Sequence, residues 1–152
     1  VGVILIYYSI VRPLSDDYIN RIKNRVKLAI RGEAMPKKPL EAIEEHFGKI
    51  IDSRKDRTRD HKLIDIIAIA ICAVICGAEG WTDIELFGKS KQHWLTTFLE
   101  LPNGIPSHDR FGRVFSLIDA QQFQLVFYEW VWAVNDIIQG QIINIDGKCL
   151  RG

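Results

Sequence analysis

The chain is poor in cysteine, has a single methionine, and contains no apolar run long enough to cross a membrane. Its three cysteines, Cys72, Cys76 and Cys149, are an odd number, and two of them sit in an apolar stretch. That excludes a secreted scaffold built on disulfides and fits a reducing cytosol. The apolar opening Val1–Val11 has no basic stretch before it and no small-residue cleavage site after it. Both it and the run Ile66–Ala78 fall short of the ~20 residues that a membrane-spanning helix needs. A net charge of +1 gives no bulk field for nucleic acid, so any basic surface has to be local. The four histidines are scattered, with neither a His-Glu-x-x-His arrangement nor a nucleophile elbow. Cys72 and Cys76 stand four apart without a second Cys/His pair at finger spacing, so they read as two buried structural thiols. The expectation is a soluble, cytoplasmic protein with no membrane partner.

What is present is a globular composition, 47% hydrophobic and 26% charged, with room for one domain and the beginning of another. Residue 1 is valine and the one methionine is Met35. The composition also changes there, so 1–34 reads as an upstream or non-native extension and Met35 as the natural start, or else the chain is an internal fragment of a longer one.

Apolar residues at helical spacing, Ile43, Phe47, Ile50 and Ile51, predict a helix over 40–51. A polar loop over 52–62 follows with a modest basic excess, and Asp60 is positioned to cap the next helix. That helix, 63–76, is apolar nearly all round except for Asp65, which predicts burial on most sides, and Gly77 and Gly80 end it. A third helix over 82–88 continues irregularly through Trp94, Leu95, Phe98 and Leu99 until the turn 101–106, which carries two prolines and a glycine. Ser107 is set as the N-cap of a helix over 108–118 that buries Phe111, Val114 and Phe115 and exposes Arg110 and Arg113. Asp119 and Gln122 then open a helix whose buried stripe is Phe123, Val126, Phe127, Trp130, Val131, Val134, Ile137 and Ile138. After Gly140 the period changes to two, and 141–146 reads as a strand.

On that strand Ile143 and Ile145 share one face, and Asn144 and Asp146 the other. Asp146, followed by Gly147 and Lys148, suits either a magnesium ligand facing phosphates or a turn; an isolated Asp-Gly on pattern alone favours the turn. Candidate phosphate contacts are the loop arginines Arg54, Arg57 and Arg59, the helix pair Arg110 and Arg113, and Lys148. A helix, a Pro/Gly turn and a capped helix bearing arginines look like a helix-turn-helix, but the connector is longer than usual and Asp109 faces phosphate unfavourably. A merely solvated polar face fits the same residues equally well.

Three stretches are more specific than any periodicity: DRTRDHKLIDIIAIAICAVICGAEGW, DIELFGKSKQHWLTTFLELPNGIPSHDRFGRVFSLID and INIDGKCLRG. Together they resemble insertion-sequence transposases of the H-repeat-associated kind, from Pro39 to Gly152. The resemblance implies a mainly α fold: a helical domain over 35–140, followed over 141–152 by the first strand of a truncated RNase H-like α/β catalytic core. It implies that Asp146 is the first acid of an Asp-Asp-Glu triad, which holds two divalent metals, normally magnesium, for in-line phosphoryl displacement on DNA. It implies transposon-end DNA as partner, with full-length transposase or a second copy as another. Arg110 stands where a small polar residue is expected, Cys149 where threonine is, and Ser53 where proline is usual. With the second Asp and the Glu absent from these 152 residues, the expectation is an amino-terminal fragment, inactive alone. The alternative is a stand-alone helical module that binds DNA or inhibits transposase without catalysis.

Overall fold

The computed structural model describes residues 38–133 apart from 56 and 58, together with the single positions 20 and 24. The extension over 1–34, the strand over 141–146 with Asp146 and Lys148, Cys149, and the stripe residues Val134, Ile137 and Ile138 lie outside the described residues. Among the described residues the architecture is helical, with no strand. In order these helices are α1 (Lys38–Phe47), α2 (Leu63–Ile75), α3 (Trp81–Ser90), the single turn α4 (Gln92–Leu95), α5 (His108–Leu117) and α6 (120–133).

The centre is α2. Every residue from Ile66 to Ile75 is buried, as expected of a helix that is apolar on all sides. Helices α1 and α3 pack against it, and α5 packs on α3. The stop at Gly77 follows from backbone hydrogen bonding: with φ at 102°, Gly77 donates to the Val74 carbonyl at 3.0 Å, and Ala78 donates to that of Ala73 at 2.9 Å. This is the Schellman arrangement, and a residue with a Cβ is strained at such a φ. The start of α2 differs from expectation. Its N-cap is Lys62, with no side-chain cap, because the Asp60 carboxylate is turned to Arg110.

Helix α1 ends at Phe47, four residues before the predicted stop. Gly48 and the turn after it bend the chain, with Lys49 and Ile50 donating to carbonyls three residues back. Ile50 consequently enters the core, whereas Ile51, expected to be buried, is 74% exposed. Phe47 lies within 5.7 Å of the Phe123 ring centroid and 5.9 Å of that of Trp130, locking α1 to α6. The α6 stripe is as the periodicity requires, with Phe123, Val126, Phe127, Trp130 and Val131 all buried. Asp119 caps α6 by accepting the Gln122 N–H at 2.7 Å, while the Gln122 side chain turns away toward the Lys49 carbonyl.

Two glycines permit close approaches to α3, one by α5 and one by the turn over 101–106. A Cβ on Gly112 would lie 3.2 Å from Trp81 Nε1, and Trp81 stacks on Phe115 with centroids 5.3 Å apart. A Cβ on Gly88 would lie 2.6 Å from Ile105 Cγ2. The turn over 101–106 therefore sits directly on α3. It is also pinned from α2: Leu101, in the left-handed region at φ 41°, donates its N–H to the buried Asp65 Oδ2 at 3.2 Å. Among the described residues no helix is long and apolar enough to cross a membrane.

Candidate functional site

The loop after α1 is folded around one guanidinium. Arg54 donates from Nε to Asp52 Oδ1 at 2.8 Å, from Nη2 to Asp52 Oδ2 at 2.7 Å, and again from Nη2 to the His61 carbonyl at 3.1 Å. Its side chain is 4% exposed. That bidentate grip holds the Asp52 carboxyl below the usual carboxylate range. Arg59 joins the same carboxylate from the outside, with Nε at 3.5 Å, and donates from Nη2 to the Asp52 carbonyl at 2.8 Å.

The loop is tied to α5 at both walls. Ser53 Oγ donates to the Leu117 carbonyl, an acceptor at the end of α5 that no helical N–H reaches, at 3.3 Å. Arg110 Nη1 stands 2.8 Å from Asp60 Oδ2, and Asn103 Nδ2 donates to the Asp60 carbonyl. At its other end α5 is not capped by Ser107, which makes no side-chain cap bond although it occupies the N-cap position. Glu85 of α3 supplies the acceptor instead, taking the His108 N–H on Oε2 at 2.7 Å. Bonds from Lys89 and from His108 hold the Glu85 carboxyl down to about 2.

Between the loop and α5 lies an open cleft of about 470 Å³. Arg54, Lys55, Arg57, Arg110 and Arg113 line it, against the acids Asp60 and Asp109. Two stretches some fifty positions apart in sequence thus converge on one basic surface. The five basic side chains outnumber the two acidic ones, and this is the local field that a net charge of +1 leaves room for. Of the candidate contacts, Arg57 and Arg113 are exposed there and make no ion pair among the described residues. Arg110 is about one third exposed. Arg54 belongs to the floor of the cleft, where its guanidinium serves Asp52 and His61, so its first role is to build the loop rather than to project from it. Arg59 is not brought to the cleft; Asp52 engages it. Asp146 and Lys148 lie outside the described residues.

Ser53 and Lys55 also line the cleft. Lys55 was legible in the basic excess of the loop; the bond from Ser53 to Leu117 carried no signal in the sequence. Among the described residues no group of three or more His, Cys, Asp or Glu could hold a metal ion. Burial pushes the Cys72 thiol up to about 12, which leaves it an inert core group.

Residues 44–131 match the DDE_Tnp_1-associated family. The chain belongs to that family. Among the relatives of this DDE_Tnp_1-associated chain, "Putative transposase YncI" of Escherichia coli O157:H7 is 40% identical over 113 residues, 74% of the chain and 29% of the relative. "H repeat-associated putative transposase YhhI" of Escherichia coli K12 is 42% identical over 112 residues, 74% of the chain and 30% of the relative. "Inactive transposase YbfQ" of the same strain is 46% identical over 77 residues, 51% of the chain and 92% of the relative. The chain thus spans under a third of the two longer relatives. No solved structure matches it. The resemblance to H-repeat-associated transposases read from the sequence holds.

Proposed function

We propose that this chain serves DNA transposition as part of a DDE transposase, and that its helical domain grips the duplex at the ends of the element. The observation that carries this reading is the cleft: arginines from the 53–57 loop and from α5 face one another across about 470 Å³. Planar guanidinium groups match phosphate oxygens bidentately, and a helix bearing arginines beside such a loop follows the contour of a phosphate backbone. In the whole protein, Asp146 contributes the first acid of an Asp-Asp-Glu triad holding divalent metal, magnesium by the family resemblance. Such a metal activates the attacking oxygen and stabilises the leaving one. The share of the described helices in this work is binding, on the strength of the basic side chains that line the cleft.

A second reading is supported by the relative whose printed name is inactive transposase and of which the chain covers 92%. On that reading the helical domain binds DNA or transposase and performs no chemistry.

Salt-dependent duplex binding tests the first reading. Three or four phosphate contacts give a log–log slope with salt of about −3, and Arg57→Ala and Arg113→Ala each reduce its magnitude by about 1. A slope unmoved by both substitutions sinks the cleft as the DNA surface. The two readings separate in a magnesium-dependent strand-cleavage assay of the whole protein. Cleavage supports the first. Binding without cleavage, together with inhibition of an active relative, supports the second.

A further inference from the structure

We infer that the floor of the cleft seats one phosphate group, held by the free nitrogen of the Arg54 guanidinium with Arg57 and Arg113 at its mouth. That the phosphate belongs to a DNA strand rests on the duplex binding proposed above.

A guanidinium carries five N–H groups in a fixed plane. In Arg54, Nε gives its one to Asp52 Oδ1, and Nη2 divides its two between Asp52 Oδ2 and the His61 carbonyl. Both N–H groups of Nη1 remain. That atom is buried and has no hydrogen-bond partner. Among the described residues His61 Nδ1 is the other buried side-chain nitrogen in that condition, but Arg54 lines the cleft and His61 does not. The Arg54 side chain is 4% exposed, so bulk water does not make good the missing bonds. Leaving a charged donor buried and unmet costs more than leaving a neutral one. The grip of Asp52 and His61 also fixes the planar group, so Nη1 cannot turn away to an acceptor of its own.

What completes this donor must bring oxygen and negative charge into a space walled by cations. The cleft, about 470 Å³, is large enough to admit a phosphate on its sugar. Arg57 and Arg113 line the same space, are exposed, and make no ion pair among the described residues. A carboxylate offers its acceptors in one plane, and Arg54 already has one in Asp52. A phosphate offers oxygens on several sides, so it can meet a donor at the floor and others at the mouth together. The acids of the cleft leave this open. Asp60 is engaged by Arg110 at 2.8 Å, and the Asp109 side chain, 84% exposed, stands 3.5 Å from His108 Nε2.

The test follows the arginine guanidinium signals by NMR in the full 152-residue chain as inorganic phosphate is added, with chloride at equal ionic strength as reference. Phosphate should shift the Arg54 signals saturably, and chloride should not. In R54K, half-saturation of the Arg113 signals should need about tenfold more phosphate, the loss of one hydrogen bond to a charged group. The wild-type titration decides the matter even where R54K is too unstable to measure. Two duplexes, identical but for a 5′-phosphate or a 5′-hydroxyl at their ends, then identify the source. A shift of Arg54 by the first alone assigns the seat to a strand end, and an equal shift by both assigns it to an internal phosphodiester. Arg54 signals that phosphate and both duplexes leave in place overturn the inference, as does an equal shift with chloride; salt-dependent duplex binding then still upholds the reading above. Saturable phosphate binding at Arg54 without salt-dependent duplex affinity upholds the seat and overturns that reading.

Discussion

Glu85 on α3 accepts the backbone N–H of His108 on Oε2 at 2.7 Å, and the same oxygen lies 2.7 Å from His108 Nδ1. A side chain from one helix thus occupies the place where the first turn of another would carry its own cap. The carboxylate also meets the positive end of the α5 dipole.

The acid limb of stability should report this contact. Glu85 is held down to about 2 in the folded chain, against an ordinary 4.5. A carboxyl whose folded value is depressed contributes stability that is complete above 4.5 and is lost as pH falls toward 2. Thermal melting followed over that window should therefore show E85Q less stable than the wild type at neutral pH, with the two curves converging at the acid end. A constant gap across the window counts against the assignment.

Arg54 should behave as a structural residue, not a surface one. R54A strips the grip from Asp52 and leaves the loop around a half-solvated acid. The expected loss is about 2 kcal/mol, below the usual cost of breaking a buried pair because Asp52 remains 25% exposed. R54K should restore only part of it, since an ammonium cannot reproduce the two parallel bonds. Because Asp52 titrates below its ordinary 3.8 on account of Arg54, wild-type stability should fall as pH drops below that value, and R54A should remove that part of the dependence. Urea midpoints measured at several acid pH values decide it.

Asp65 makes the opposite case. Burial pushes its carboxyl above the ordinary carboxylate range, so its charge is a burden to the fold as pH rises through the shifted value. D65N retains an oxygen for the Leu101 N–H and sheds that charge, so it should match or exceed wild-type stability at neutral pH. D65A leaves the buried N–H without its acceptor and should cost about 1–3 kcal/mol. Equal stability of the two variants would show that the Leu101 bond contributes nothing.

Gly88 tests the seating of the turn on α3. Alanine is favoured over glycine in a helix by about 1 kcal/mol. At Gly88, however, its methyl would stand 2.6 Å from Ile105 Cγ2, a branch close to the backbone that cannot swing aside. Overpacking of this kind costs about 1–3 kcal/mol, so the clash should win and G88A should lower the denaturant midpoint.

Much of this fold was legible because its helices are written in strong periodicities. The all-round apolar character of α2 and the Phe123–Val131 stripe of α6 each predict what they bury. Element ends were less so. Ile51 continued the apolar pattern of α1 although Gly48 had already bent the chain. Caps failed where tertiary contacts took over: Ser107 and Asp60 occupy capping sequence, but the bonds came from Glu85 in one case and turned to Arg110 in the other. The cleft was half visible. Its basic residues could be named one by one, but periodicity has no term for two distant segments meeting. Nor could it tell that Arg54 would be buried among the partners it organises.

The convergence of the loop and α5 makes the basic surface a property of the folded state alone. Neither segment, cut out as a peptide, would present it. A polyanion lying across both walls would act as a staple between them, raising the melting temperature in step with its concentration through thermodynamic linkage. Recognition and folding in this domain would then be two readings of a single equilibrium.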